Sequence, residues 1–209
     1  MEIIYVMDPL CGWCYGNSQT INQIYDKYKD GVSFNVMPGG MWVGGNVSLN
    51  NPELAAFIRR HDQVVKRRTG AKFGPKYQEN ILDNPSHVFN SEPPSRAIVA
   101  VSQLKPEAAF VFAGDVLRLQ FWEGKDLNDG EVYLDVIGRY DISQDRFARL
   151  YESERLARDT QTVFDMVRQI GVTGFPTLLA SYNGRREILA TGYMPFASLD
   201  QIVKGTLNL

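Results

Sequence analysis

Cysteine, histidine and surplus charge are all scarce in this chain of 209 residues, which holds two cysteines, two histidines and 22 basic against 24 acidic side chains. A net charge of −2 leaves no electrostatic footprint for nucleic acid and no polybasic stretch to hold a membrane surface, so neither partner is expected. No run approaches the roughly 18 consecutive apolar residues of a membrane-spanning helix. The two histidines, His61 and His87, lie far from the cysteines and lack the short spacing of a zinc site, so no intrachain metal site is expected and both read as packing or surface residues. The opening MEIIYVMDPL has no basic n-region, and its apolar run is far shorter than a signal peptide's, which points to a cytoplasmic protein. Internal repeats, low-complexity tracts and linkers are also missing. What remains is an ordinary globular composition, 44% apolar, with enough material for a substantial core without disulfide staples.

The two cysteines stand together in DPLCGWCYG, residues 8–16. A lone C-x-x-C pair has four uses: a redox dithiol, half of a metal site, a nucleophile with a bystander, or incidental core thiols. Its surroundings favour the first. The run EIIYVM at 2–7 is apolar and β-branched, reads as a buried strand, and is broken by Asp8-Pro9. Beyond the pair, Ile21, Ile24, Tyr25 and Tyr28 recur at helical spacing, giving an amphipathic helix that ends near Asp30-Gly31. The pair therefore sits on a strand-to-helix turn, where unpaired N–H groups and the helix dipole favour a thiolate over a thiol. Cys11 emerges first and is the expected nucleophile. Cys14, about one turn in, is placed to resolve a mixed disulfide on Cys11.

The rest of the chain changes character twice. Val32, Phe34 and Val36 alternate as in a half-buried strand, so the start reads strand, helix, strand. GGMWVGG at 39–45 lacks the Lys-Ser/Thr of a phosphate loop and reads as a structural loop, with Met41 and Trp42 as walls of a substrate groove in the lesser reading. From 51 to 170 the pattern is helical. PELAAFIRRHDQVVKRR sets Leu54, Phe57, Ile58, His61 and Val65 on one stripe, PEAAFVFAGDVLRLQFWEG is apolar enough to be central, and SQDRFARLYES opens on a Ser143 cap. Strand patterns return beyond Gly171 as PTLLASY and EILATGY, joined by a turn at Asn183-Gly184. FASLDQIVKGTLN closes the chain as a helix. The simplest architecture is α/β, with residues 1–50 and 171–209 forming one discontinuous domain and 51–170 an all-helical insertion.

This order resembles the thioredoxin fold as elaborated in the DsbA family of thiol–disulfide oxidoreductases. The anchors are DPLCGWC near the start and GVTGFPT near the end, and the DP-x-C-x-W-C wording is similar to the cytoplasmic FrnE-like branch. The resemblance implies that Cys11 attacks, Cys14 resolves, and Pro176, preceded by a cis bond, faces the dithiol. It also implies that the Phe175 backbone pairs with an extended substrate segment, with Trp13 as a substrate-facing ring. Protein disulfides or thiols would be the substrates and glutathione or a thioredoxin-type protein the recycling partner, with no tightly held cofactor. One departure stands out: Tyr5 occupies the place where many relatives carry a buried acid that ferries the resolving thiol's proton. Asp8 is the nearest carboxylate in sequence, read chiefly as turn chemistry with a proton role as the alternative. Arg96 in PPSRA is a further candidate for contact with the site. Two other readings stay open. Kappa-class glutathione transferases and chromene-carboxylate isomerases look similar in fold but keep a serine at the place of Cys11, and a binding protein could share a metal between two chains.

Overall fold

A computed structural model describes residues 1–207 of the chain; Asn208 and Leu209, at the end of the C-terminal segment read from sequence, lie outside the described residues. Strand β1 (Glu2–Met7) runs into the cysteine turn, followed by α1 (Gly12–Gly16), α2 (Ser18–Tyr28) and strand β2 (Ser33–Pro38). The single helix expected after the motif is thus two. The break falls at Asn17, whose backbone still accepts from Ile21 N and donates to Trp13 O, so the chain kinks without leaving helical conformation. Gly16 packs at the kink so tightly that a Cβ there would meet Val65 Cγ1 at 2.4 Å.

The two-residue strand β3 (Ser48–Leu49) precedes the 51–170 segment, which holds α3 (Pro52–Thr69), α4 (Pro75–Tyr77), β4 (Val88–Phe89), α5 (Glu92–Leu104), α6 (Pro106–Phe121), α7 (Leu134–Ile137), α8 (Gln144–Tyr151) and α9 (Glu154–Ile170); the segment is helical except for β4, which pairs antiparallel with β3. Helix starts follow local chemistry. The Asn51 side chain caps α3 by accepting from Leu54 N, and Ser143 caps α8 by accepting from Arg146 N, each meeting an N–H that the first turn leaves orphaned. Strands β5 (Thr177–Tyr182) and β6 (Arg185–Thr191) and helix α10 (Phe196–Leu207) complete the chain. Asn183 and Gly184 both take positive φ, 49° and 74°, as the two-residue hairpin requires.

The four-stranded sheet has the order β2-β1-β5-β6, with β1 parallel to β2 and antiparallel to β5. A parallel pair cannot be joined by a tight turn, so α1 and α2 provide the crossover. Both faces of β1 are buried. Ile3, Tyr5 and Met7 join the large core shared with α5 and α6, while Ile4 and Val6 pack with Val167 of α9. This is the thioredoxin-like fold with a helical insertion.

The stripe read on α3 is rotated in the structure. Ala55, Asp62 and Val65 are buried, whereas Phe57 is 49% exposed and His61 is exposed. Phe57 and His61 instead lie tilted against each other, ring centroids 4.3 Å apart, and both line the cavity that Cys11 borders.

Candidate active site

Asp8 ends β1 and organises the turn that follows it. Its Oδ1 accepts from Leu10 N at 2.9 Å and from the Ser91 hydroxyl at 2.8 Å, and its Oδ2 accepts from Met41 N at 2.6 Å. Ser91 Oγ in turn accepts from Trp42 N at 3.0 Å. One buried carboxyl therefore ties the cysteine turn, the 39–42 loop and the start of α5 together. Burial pushes the Asp8 carboxyl up, opposed by these hydrogen bonds. Cys11 N donates to Asp8 O, and Cys14 N and Tyr15 N donate to Cys11 O, which winds α1 out of the turn with Cys11 as its N-cap.

The two cysteines lie 3.4 Å apart in unequal surroundings. Cys14 is 0% exposed, and burial first, then the neighbouring Cys11, pushes its thiol well above the ordinary range. Cys11 borders a cavity of about 170 Å³, and its Sγ stands 3.7 Å from Phe175 O. The Phe175–Pro176 peptide bond is cis. Phe175 rests on Gly39, where a Cβ would overlap its ring at 2.0 Å from Cζ. Tyr5 reaches the pair from below, its hydroxyl donating to Cys14 O at 3.4 Å. Burial, with both cysteines adding to it, pushes that phenol well above its usual value, so Tyr5 keeps its proton.

The cavity in front of Cys11 is walled mainly by apolar and aromatic side chains, among them Trp13, Met41, Trp42, Phe89 and Phe121. Met41 and Trp42, expected to form a structural loop or, in the lesser reading, groove walls, line this cavity beside Cys11. Phe175 and Pro176 are not among its lining residues; the Phe175 carbonyl is what approaches Cys11. His61 stands on the cavity edge, while His87 is buried with its ring edge-on to Phe89, 4.8 Å between centroids. Arg96 lies elsewhere: its guanidinium binds Glu92 at 2.7 Å and Tyr151 O at 3.4 Å. A larger groove beside Tyr15, Arg118 and Trp122, about 720 Å³, contains neither cysteine.

Two site residues escaped the sequence reading. Asp62 is 5% exposed on α3 and lines the cavity, with Tyr77 of α4 donating to its Oδ2 at 3.1 Å. Burial pushes this carboxyl up to about 7, against the Tyr77 hydroxyl and the Arg59 charge, which pull it down. Gln120 also lines the cavity, with its Oε1 buried and unpartnered among the described residues. A signal for Asp62 existed, since it falls four residues after Ile58 and three before Val65, a core position where a carboxylate is out of place.

A DSBA-like thioredoxin domain matches residues 2–204 of the chain. The chain belongs to this family. It is accordingly a thiol–disulfide oxidoreductase. Among solved structures it is similar to a protein of Nitrosomonas europaea provisionally described as a protein disulfide isomerase, 28% identical, with a TM-score of 0.88 over 99% of this chain and 97% of that one. It is also similar in fold to the cytosolic disulfide reductase DsbM from Pseudomonas aeruginosa, 24% identical, TM-score 0.81, over 100% and 99% of the two chains. The structure of DsbM with glutathione superposes with a TM-score of 0.80 at 23% identity, over 100% of both chains. No curated protein matches the sequence. Among the described residues no helix is long and apolar enough to cross a membrane, and no group of three or more His, Cys, Asp or Glu side chains is gathered for a metal.

Proposed function

We propose that this protein exchanges disulfides with protein substrates through the Cys11–Cys14 dithiol. The Cys11 thiolate attacks a substrate disulfide and forms a mixed disulfide, one substrate sulfur leaving with the bonding electron pair. Cys14 then loses its proton and attacks Cys11 Sγ, which releases the second substrate thiol and leaves the Cys11–Cys14 disulfide. The observation that carries this reading is the asymmetry of the pair: Cys11 borders the cavity while Cys14, 3.4 Å away, is fully enclosed. Cys14 reaches Cys11 Sγ and is closed off from solvent, which suits a resolving partner that acts only after Cys11 has formed the mixed disulfide. Phe175 offers its backbone beside Cys11 for strand-like pairing with a substrate segment, Pro176 holds that backbone in place, and Trp13 gives the substrate an aromatic wall. Asp8, saturated with hydrogen bonds, serves to position the turn.

Each turnover that reduces a substrate leaves the enzyme oxidised and requires a thiol donor. Glutathione is the proposed donor, a reading supported by the structure of DsbM with glutathione. In the reducing cytoplasm, the compartment read from sequence, such a dithiol works as a reductase or isomerase. Equilibration in glutathione redox buffers, followed by alkylation and intact mass, tests the reading. The expected result is a reversible two-electron transition of the Cys11–Cys14 bond. Cys11→Ser should abolish exchange, and Cys14→Ser should accumulate mixed disulfides. A stable glutathione adduct on Cys11 with no intramolecular disulfide would instead point to a glutathione-dependent transferase or isomerase.

A further inference from the structure

Disulfide exchange moves protons as well as sulfur. A displaced alkyl thiolate is a strong base and leaves faster when it is protonated as the bond breaks. Near the dithiol the obvious proton carriers are already committed. Tyr5 is buried, and its hydroxyl donates to Cys14 O. Asp8 accepts three hydrogen bonds, and its Oδ atoms are turned to Leu10, Met41 and Ser91.

Asp62 is placed differently. It comes from α3 in the helical insertion, yet it lies against the motif itself: a Cβ on Gly12 would stand 2.9 Å from its Oδ1. Its one hydrogen bond among the described residues is to Oδ2, from Tyr77, which leaves Oδ1 free. It shares the cavity with Cys11. The charged and titratable groups around it are few. Arg59 on the same helix is drawn off to Asp83 at 2.6 Å and Gln78 at 3.3 Å, Tyr77 donates to it from α4, and His61 and Cys11 line the same cavity.

We propose that Asp62 is the acid–base group of this site, giving its proton to the substrate sulfur displaced by Cys11 and taking one back when the reaction runs in reverse. In the forward step the Cys11–substrate S–S bond forms, the substrate S–S bond breaks with its electron pair on the departing sulfur, and the Asp62 proton passes to that sulfur. The carboxylate left behind is reprotonated from solvent. Because burial pushes this carboxyl up to about 7, both of its forms are populated near neutral pH, as acid–base work requires. Gln120 lines the same cavity, and its Oε1, buried and unpartnered among the described residues, gives the entering substrate an acceptor. The inference rests on the disulfide-exchange reading and names the group that handles its proton.

Leaving-group dependence tests it. Exchange of the reduced protein is followed with two neutral probes: hydroxyethyl disulfide, whose displaced alkyl thiolate is strongly basic, and dithiodipyridine, whose displaced pyridinethiolate delocalises its charge onto the ring nitrogen, needs no acid at sulfur and takes its proton afterwards from solvent as the thione. Asp62→Asn keeps an acceptor for Tyr77 and cannot donate an acidic proton. It should slow the alkyl probe at least roughly tenfold, against the ~10²-fold or more that a positioned general acid supplies, and leave the aromatic probe close to wild type. In the wild type the ratio of alkyl to aromatic rates should fall as pH rises through about 7, a measurement that does not depend on the variant folding. Equal slowing of both probes would make Asp62 a packing residue and overturn the proposal. So would a pH-independent ratio in the wild type, or the leaving-group effect appearing in His61→Gln instead. Absence of exchange with either probe in the wild type would sink the dithiol reading itself.

Discussion

Two buried carboxyls do opposite work at residue scale. Asp8 has three hydrogen-bond donors around it, and Asp8→Ala would leave Leu10 N, Met41 N and the Ser91 hydroxyl without an acceptor. The expected loss is on the order of 3 kcal/mol, seen as a lower midpoint in urea unfolding. Asp62 has one donor and an enclosed site. Its carboxyl is pushed from 3.8 up to about 7 in the folded protein, so the folded state holds a proton that the unfolded chain releases at lower pH. The stabilisation linked to that proton is fully present below the unfolded value and is lost as pH rises through about 7. Asp62→Asn removes this dependence. Relative to the wild type the variant should therefore gain stability between pH 5 and pH 8, and parallel stability–pH curves for the two proteins would contradict the burial argument.

At the scale of elements, close approaches set the geometry. The 39–42 loop reaches Cys11 because Gly39 leaves room for the Phe175 ring, and Phe175 in turn brings its carbonyl to 3.7 Å from Cys11 Sγ. Gly39→Ala forces that ring aside. The expected outcome is slower exchange with peptide disulfides together with a stability loss of about 1–3 kcal/mol from overpacking, measured by stopped-flow alongside thermal unfolding. Helix α3 shows how close packing decides which face is buried. Leu54 and Ile58 stay half-buried and Val65 enters the core, but α1 lies against α3 through Gly12 and Gly16. That contact turns Asp62 inward and leaves Phe57 and His61 at the cavity edge.

For the whole molecule, the sheet and the helical segment share one core: Ile3, Tyr5 and Leu178 belong to the same buried cluster as Phe112, Val116 and Phe147. Neither part can open without exposing the other's apolar surface. Urea unfolding is accordingly expected to give a single transition, with far-ultraviolet circular dichroism and tryptophan fluorescence coinciding. Two separated transitions would show that the insertion is stable on its own.

Much of this could be read from local pattern. The strand before the dithiol, the Asn183-Gly184 hairpin, the Ser143 cap and the helical run between the two β segments all depend on residues near one another in the chain, and their signals survive without tertiary knowledge. The kink at Asn17 was not legible, because the helical spacing continues through it and the break follows from Gly16 packing on α3. The surroundings of the two buried carboxyls were not legible either. Asp8 meets Ser91 across 83 positions, and Asp62 reaches Gly12 only once the insertion folds back over the motif; the approach of Phe175 to Cys11 across 164 positions was implied by the family resemblance and not by local pattern. The sequence by itself determined the dithiol, its turn and the fold class, since these are written in spacing and turn chemistry. Tertiary structure alone decided which carboxyl is saturated and which stands free, because a buried group's hydrogen bonds and solvation depend on neighbours distant in the chain.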